Sequence, residues 1–178
     1  ESGQPLGAIG AQHVVDASGA LAYPLRDGAG GPITEEIIQT GSMWNVPALT
    51  RIGGFDESLG IDAVDAAACL ALRQRGYLVA VAPEVRIEHT IGTSQMMRIA
   101  GRSIMVTGHS PARRTSMLRN RLRLFPAEFR QSPRHALRTV RRVAVNQSLG
   151  LAVESGRWEK LKGSIRGLAG RSKDNLQP

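Results

Sequence analysis

Cysteine, long apolar runs and acidic residues in the second half are what this chain lacks. One cysteine, Cys69, occurs in 178 residues, so no disulfide can form within the chain and nothing in it marks an oxidising compartment. Cys69 stands among Ala and Leu, where a cysteine serves as a small buried hydrophobe rather than a reactive thiol. No stretch of eighteen apolar residues is present, so no segment reads as a membrane-crossing helix. No leader-peptide pattern opens the sequence, which starts at Glu1. Residues 91–178 contain 4 Asp and Glu against 18 Lys and Arg, net +14, whereas residues 1–90 contain 11 against 5, net −6; the whole chain carries +8. Such asymmetry separates two functional parts and turns the basic one toward something anionic, whether a phosphate-bearing substrate, a lipid surface or nucleic acid. The length suffices for one domain with a proper core, and no internal repeat is present.

The densest signal lies at residues 53–77, GGFDESLGIDAVDAAACLALRQRGY. Asp56, Glu57, Asp62 and Asp65 crowd together ahead of an Ala-rich run. Asp62 is expected to be the N-cap, accepting first-turn amides that have no partner in the helix. Ala63, Val64, Ala66, Ala67, Ala68, Leu70, Ala71 and Leu72 are apolar almost all round and predict a mostly buried helix. Arg73 and Arg75 complement the dipole in its last turn, and Gly76 suits the left-handed residue that ends it. Tyr77–Ala82 then reads as a buried strand stopped by Pro83. Asp62 and Asp65, three apart, share one face of the first turn, where the helix N-terminus favours their ionised forms. A charged carboxylate there can take the proton of an attacking hydroxyl. Both residues also fit a purely capping role.

Elsewhere, Leu6–Val15 and Leu21–Leu25 predict two strands of a hairpin around a turn at Asp16–Gly19. Asp27–Pro32 (DGAGGP) reads as a flexible loop; without a Lys-Ser/Thr ending or a following helix it does not cradle phosphate. Glu35–Trp44 predicts a strand interrupted at Gly41, and Pro47 opens a one-turn helix through Arg51. Gly41 and Ser42 either let an acceptor approach the backbone closely or mark a simple bulge. Trp44 either stacks on a sugar face or fills core. Val85–His89 is a last strand, whose neighbours Glu88 and His89 face opposite sides and cannot share one ion. Met96–Thr107 has no clear pattern. Ser110 and Pro111 start a helix with an apolar stripe of Leu118, Leu122 and Phe125. Arg114 with Arg121, and Arg119 with Arg123, are turn-spaced; their guanidinium forks suit diphosphate oxygens or simply face water. Ser132 and Pro133 start another helix, with Arg134, Arg138, Arg141 and Arg142 on one side and Leu137, Val140 and Ala144 on another. That basic amphipathic helix suits an anionic lipid surface or packing on the domain.

Four pieces in order carry a resemblance to the family 2 glycosyltransferases, especially their bacterial rhamnosyltransferase-like branch, over about Ala8–Phe125. They are TGSMWNVPALTRIGGFDE (Thr40–Glu57), GGFDESLGIDAVD with CLALRQRGY, IEHTIG (Ile87–Gly92) and GHSPARRTSMLRNRLRL (Gly108–Leu124). The resemblance implies an α/β chain: the C-terminal portion of a GT-A, nucleotide-diphospho-sugar transferase fold, followed by basic α-helices. It implies a catalytic base at Asp65 supported by Asp62, an acceptor site around Gly41, Ser42, Trp44 and Asp56, and donor-diphosphate contacts from Arg113, Arg114, Arg119 and Asn120. His89 would be a ligand of a divalent metal, magnesium or manganese. The implied partners are a nucleotide-diphospho-sugar donor, with rhamnose the natural guess, and a glycan or polyprenyl-linked acceptor.

The departures from the family are specific. No Asp-x-Asp triplet occurs, and nothing corresponds to the nucleotide-binding strands. Ala66, Ala67 and Ala68 replace the acidic-aromatic pair after the base, and Gly60 replaces an aromatic. The expected organisation is therefore residues 1–108 as the acceptor-side C-terminal half of a catalytic domain, 109–166 as a basic helical extension and 167–178 as a disordered tail. Such a chain is expected to be cytoplasmic, to touch the inner face of the plasma membrane peripherally, and to be inactive by itself. Two alternatives stand beside this reading: an arginine-rich nucleic-acid module, which lacks any zinc spacing, zipper or aromatic RNA-binding signature, and a non-catalytic remnant.

Overall fold

The computed structural model describes residues 3–14, 23, 25–28, 30–88, 95–99, 102–106, 109–153, 162 and 165, with the backbone alone for 13, 14, 88, 95–99, 102–106, 146, 147 and 149–153. The chain is mixed α/β and divides into two compact units, Glu1–Thr90 and Ile91–Pro178.

The first unit is built on a five-stranded sheet. Its strands are β1 (Leu6–Val14), β2 (Arg26–Gly28), β3 (Gly31–Ile33), β4 (Ser42–Trp44) and β5 (Leu78–Glu88), in spatial order β2-β3-β5-β1-β4. β1 runs parallel to β5 and antiparallel to β4. It has small residues because both its faces are covered: Gly7, Ala8, Gly10 and Ala11 are all buried. A Cβ on Gly10 would come within 2.9 Å of Ile37 Cγ2. The expected hairpin turn at Asp16–Gly19 and most of Leu21–Leu25 lie outside the described residues; at Ala8–Gly10 the two edges of β1 are taken by β4 and β5. The DGAGGP segment is not a loose loop; it is the tight β2–β3 hairpin, in which Gly28 opposes Gly31. The expected strand from Glu35 shrinks to β4, because Gly41 turns the chain at φ +64° and lends its carbonyl to Ala11 N–H at 3.0 Å.

Pro83 does not end β5. The strand passes through it, and Ala82 opposes Ala11 while Arg86 opposes Gln12. Residues 83–85 therefore bulge out of the ladder, which removes the need for the amide proline lacks. The bulge sets Ile87 against Gly41, where any added Cβ would collide with the Ile87 side chain.

Two helices cover the sheet. Asn45 caps α1 (Val46–Arg51) by accepting from Ala48 N–H, and its amide donates to Leu6 O at 2.9 Å, tying the helix start to β1. A single 3-10 turn (Glu57–Leu59) leads to α2 (Val64–Gln74), which buries Ala66, Ala68, Cys69, Leu70 and Leu72. It ends as expected, with Gly76 at φ +81°. Tyr77 N–H reaches Leu72 O and Gly76 N–H reaches Arg73 O, the paired bonds of a Schellman stop. The core joins Ala8, Tyr23, Ile37, Ala48, Cys69, Leu72, Tyr77, Val79 and Val81.

The second unit holds a hairpin of β6 (Gln95–Ile99) with β7 (Arg102–Val106), then α3 (Pro111–Gln131) and α4 (Pro133–Val153), which pack on one another. Ser110 caps α3 as expected, accepting from Arg113 N–H at 3.3 Å. The apolar stripe behaves differently from its expectation. Leu122 is exposed and Leu118 and Phe125 are half-buried, while α3 buries Arg114, Asn120 and Glu128. Among the described residues, no helix is long and apolar enough to cross a membrane.

Gly10→Ala should destabilise the first unit by about 1–3 kcal/mol, because the methyl group must displace Ile37 inside a filled core. Gly30→Ala, at an open position in the β2–β3 turn, should change the urea midpoint little.

Candidate functional site

The acidic segment is placed by its two ends. The Schellman stop reverses the chain directly into β5, so α2 runs back along the sheet and its first turn comes to the carboxyl end of the parallel pair β1 and β5. In open α/β sheets that end is where ligands gather.

Asp62 is not the N-cap. Ala63 holds that position, at φ +70° and ψ +11°, and no side chain caps the helix from there. A left-handed alanine costs about 1–2 kcal/mol, and among the described residues it is the one non-glycine with positive φ. Ala63 stands between the two aspartates singled out from the sequence. Asp65 lies in the first turn, half-buried, with Oδ1 accepting from Ala66 N–H at 2.9 Å. Asp62, relieved of capping, is half-buried beside it.

Asp65 has neighbours that the sequence did not reveal. Burial raises the Tyr23 phenol well above its ordinary range, and the charges of Asp65 and Glu36 raise it further. The phenol oxygen accepts from Ile38 N–H at 3.0 Å, which opposes the rise. The Cys69 thiol, one turn below Asp65, is pushed up to about 12 by burial, with Glu36 and Asp65 adding to it. Both groups therefore stay protonated at neutral pH. The thiol is inert, in accord with its setting among Ala and Leu. Tyr23 lies in Leu21–Leu25, read from the sequence as a hairpin strand, and nothing in that reading marked it as a neighbour of the acidic helix.

A second set of residues is tied to β4. Trp44 Nε1–H donates to Ser42 Oγ at 2.8 Å, and that hydroxyl donates to Gln39 O at 2.7 Å. Trp44 meets Phe55 edge-on, with ring centroids 5.0 Å apart. The indole is thus held by its nitrogen and by the Phe55 ring, and it is half-buried against the core. Phe55 carries the chain into Asp56, whose carboxylate accepts from Ser58 N–H at 3.1 Å and caps the 3-10 turn. Gly41, Ser42, Trp44 and Asp56 are therefore joined through hydrogen bonds, ring contact and sequence adjacency. Asp56 acts as a cap, and Gly41 is favoured by its left-handed backbone angle.

The arginine segment lies in the second unit. Arg114 and Asn120 are buried on α3, and Arg113 and Arg119 are half-buried. Arg119 Nε lies 3.5 Å from Asn120 Oδ1. Arg121 pairs with buried Glu128 at 3.4 Å, and on α4 buried His135 lies 3.5 Å from the Thr139 hydroxyl. Arg114 and Asn120 are thus buried and do not form an open cationic face. His89 lies outside the described residues. Among those described, neither unit by itself brings three His, Cys, Asp or Glu ligand atoms together.

No family model and no solved structure matches the chain. It is 30% identical over 148 residues to the dTDP-rhamnosyl transferase RfbF of Shigella flexneri, a match that takes in 78% of this chain and 48% of that protein. The chain is thus related to a glycosyltransferase, and it spans about half the length of that relative.

Two outcomes follow from the site. Tyr23 and Cys69 hold protons in the folded state that the unfolded chain gives up sooner, so stability should be full below about pH 9 and should fall as pH rises toward 12. Cys69→Ala should flatten that alkaline fall in urea titrations. Ala63→Gly should raise stability by up to about 1 kcal/mol by relieving the left-handed alanine.

Proposed function

We propose that this chain forms the acceptor-side, C-terminal part of the catalytic domain of an inverting, family 2 glycosyltransferase of GT-A type, with Asp65 as its base. The observation that carries the reading is the strained entry to α2. Ala63 is held left-handed immediately before the helix, and such outliers persist where the surrounding structure fixes them for a purpose. They cluster at functional sites, and this one lies between two carboxylates at the ligand-gathering end of the sheet. The relationship to a dTDP-rhamnosyl transferase supports the same reading and makes deoxythymidine-diphosphate-linked rhamnose the proposed donor.

In the proposed reaction Asp65 takes the proton of an acceptor hydroxyl as its oxygen attacks the anomeric carbon. The bond from that carbon to the diphosphate breaks on the opposite side, and the sugar inverts. Asp62 orients the incoming hydroxyl. Trp44, held by Ser42 and Phe55, offers a ring on which an acceptor sugar, of a glycan or a polyprenyl-linked one, can stack. On α3, Arg113 and Arg119 are the proposed partners of the departing diphosphate, since Arg114 and Asn120 are buried. His89 is a proposed ligand of a divalent cation, magnesium or manganese; the role of Asp65 does not depend on it.

A chimera in which this chain replaces the matched segment of the Shigella flexneri relative should transfer rhamnose from its deoxythymidine diphosphate. Asp65→Asn, which keeps the oxygen that accepts Ala66 N–H, should lower kcat by about 100-fold or more with an unchanged urea midpoint. Undiminished transfer by that variant would remove the proposed base.

A further inference from the structure

The second unit turns some of its largest aliphatic side chains outward. Among the described side chains of α4 the buried ones are His135, Ala136, Thr139 and Val143, a set of small and polar side chains that seats the helix. Leu137 is 56% exposed, Val140 39% and Val145 47%. Leu137, Val140 and Ala144 recur at spacings of three and four, so they form one continuous stripe. Arg134, Arg138, Arg141 and Arg142 adjoin it, all exposed, and α4 contains no acidic residue. Leu122 and Phe129 of α3 are exposed as well, at 41% and 42%.

We propose that the outward face of α4 docks on an anionic lipid bilayer, with the helix lying in the plane of the interface. The stripe accounts for part of the choice. Leu137 and Val140 gain only where water is removed from them, and a bilayer interface does so while leaving the arginine heads among lipid phosphates. Nucleic acid would satisfy the arginines but leave the aliphatic stripe in water. Charge accounts for the rest. A second copy of this unit would set arginines against arginines, because residues 91–178 carry net +14 and the described carboxylate of that unit, Glu128, is buried against Arg121. Among the described residues no helix is long and apolar enough to cross a bilayer, so the docking proposed is in the plane of the interface. This surface is independent of the proposed catalytic role of Asp65.

Flotation of the intact chain with vesicles tests it. Vesicles of equal parts phosphatidylcholine and phosphatidylglycerol should capture the chain, and pure phosphatidylcholine should not. Capture should weaken as salt rises. Arg138→Gln with Arg141→Gln should lower the partition coefficient roughly thirtyfold. Leu137→Ser with Val140→Ser should lower it roughly tenfold. All four positions are exposed, so helix content by circular dichroism should hold in both double variants. Equal capture by both vesicle types, or by neither, would overturn the proposal. So would tighter binding to duplex DNA at equal phosphate concentration, or self-association that the Leu137→Ser, Val140→Ser variant abolishes while vesicle binding persists.

Discussion

The parallel pairing of β1 with β5 is the constraint on which the first unit rests. Parallel neighbours cannot be joined by a tight turn; the chain must cross over between them. Here the crossover contains β2, β3, β4, α1, the acidic 3-10 turn and α2, so the ladder constrains where those elements lie. It also demands small residues. β1 is covered on both faces, and Gly10 gives Ile37 the room that any side chain would take. With β1 fixed between β4 and β5, α2 has one way to return, and its first turn arrives at the carboxyl end of both parallel strands. The placement of Asp65 is thus a consequence of strand order more than of its own local sequence.

Much of this was legible from local patterns, and the exceptions have physical causes. The helix over 64–74, its glycine stop, the start of α3 at Ser110 and Pro111 and the start of α4 at Pro133 all depend on short-range rules, and all appear. The β1 neighbours were missed because strand partners are chosen by long-range packing, which no local alternation encodes. The cap at Ala63 was missed for a related reason. Propensity assigns that position to Asp62, and only tertiary contact can hold an alanine at positive φ. Tyr23 and Phe55 became neighbours of the site through the fold, whereas Ser42 and Trp44 were already visible as a cluster. The arginines announced a charged helix, but their sequence could not say which of them face inward.

The second unit inverts the usual division of polar and apolar faces. Buried Glu128 is tolerable because Arg121 pairs with it, and Asn120 accepts from Arg119. Both contacts lie within α3, where they satisfy polar groups that burial would otherwise make costly. The same arrangement leaves leucine and valine facing outward. An amphipathic pattern read from sequence names two faces, but it does not say which of them the molecule keeps for itself.

The excursion of β5 at Pro83, Glu84 and Val85 separates the length of that strand from its pairing. Since three residues oppose none on β1, the ladder resumes with side chains swapped to the other side, and Ile87 is brought against Gly41 by that parity. Evolution can alter the excursion by two residues and preserve the handoff, but a change of one would rotate everything beyond it. Homologous chains should therefore differ here in even steps.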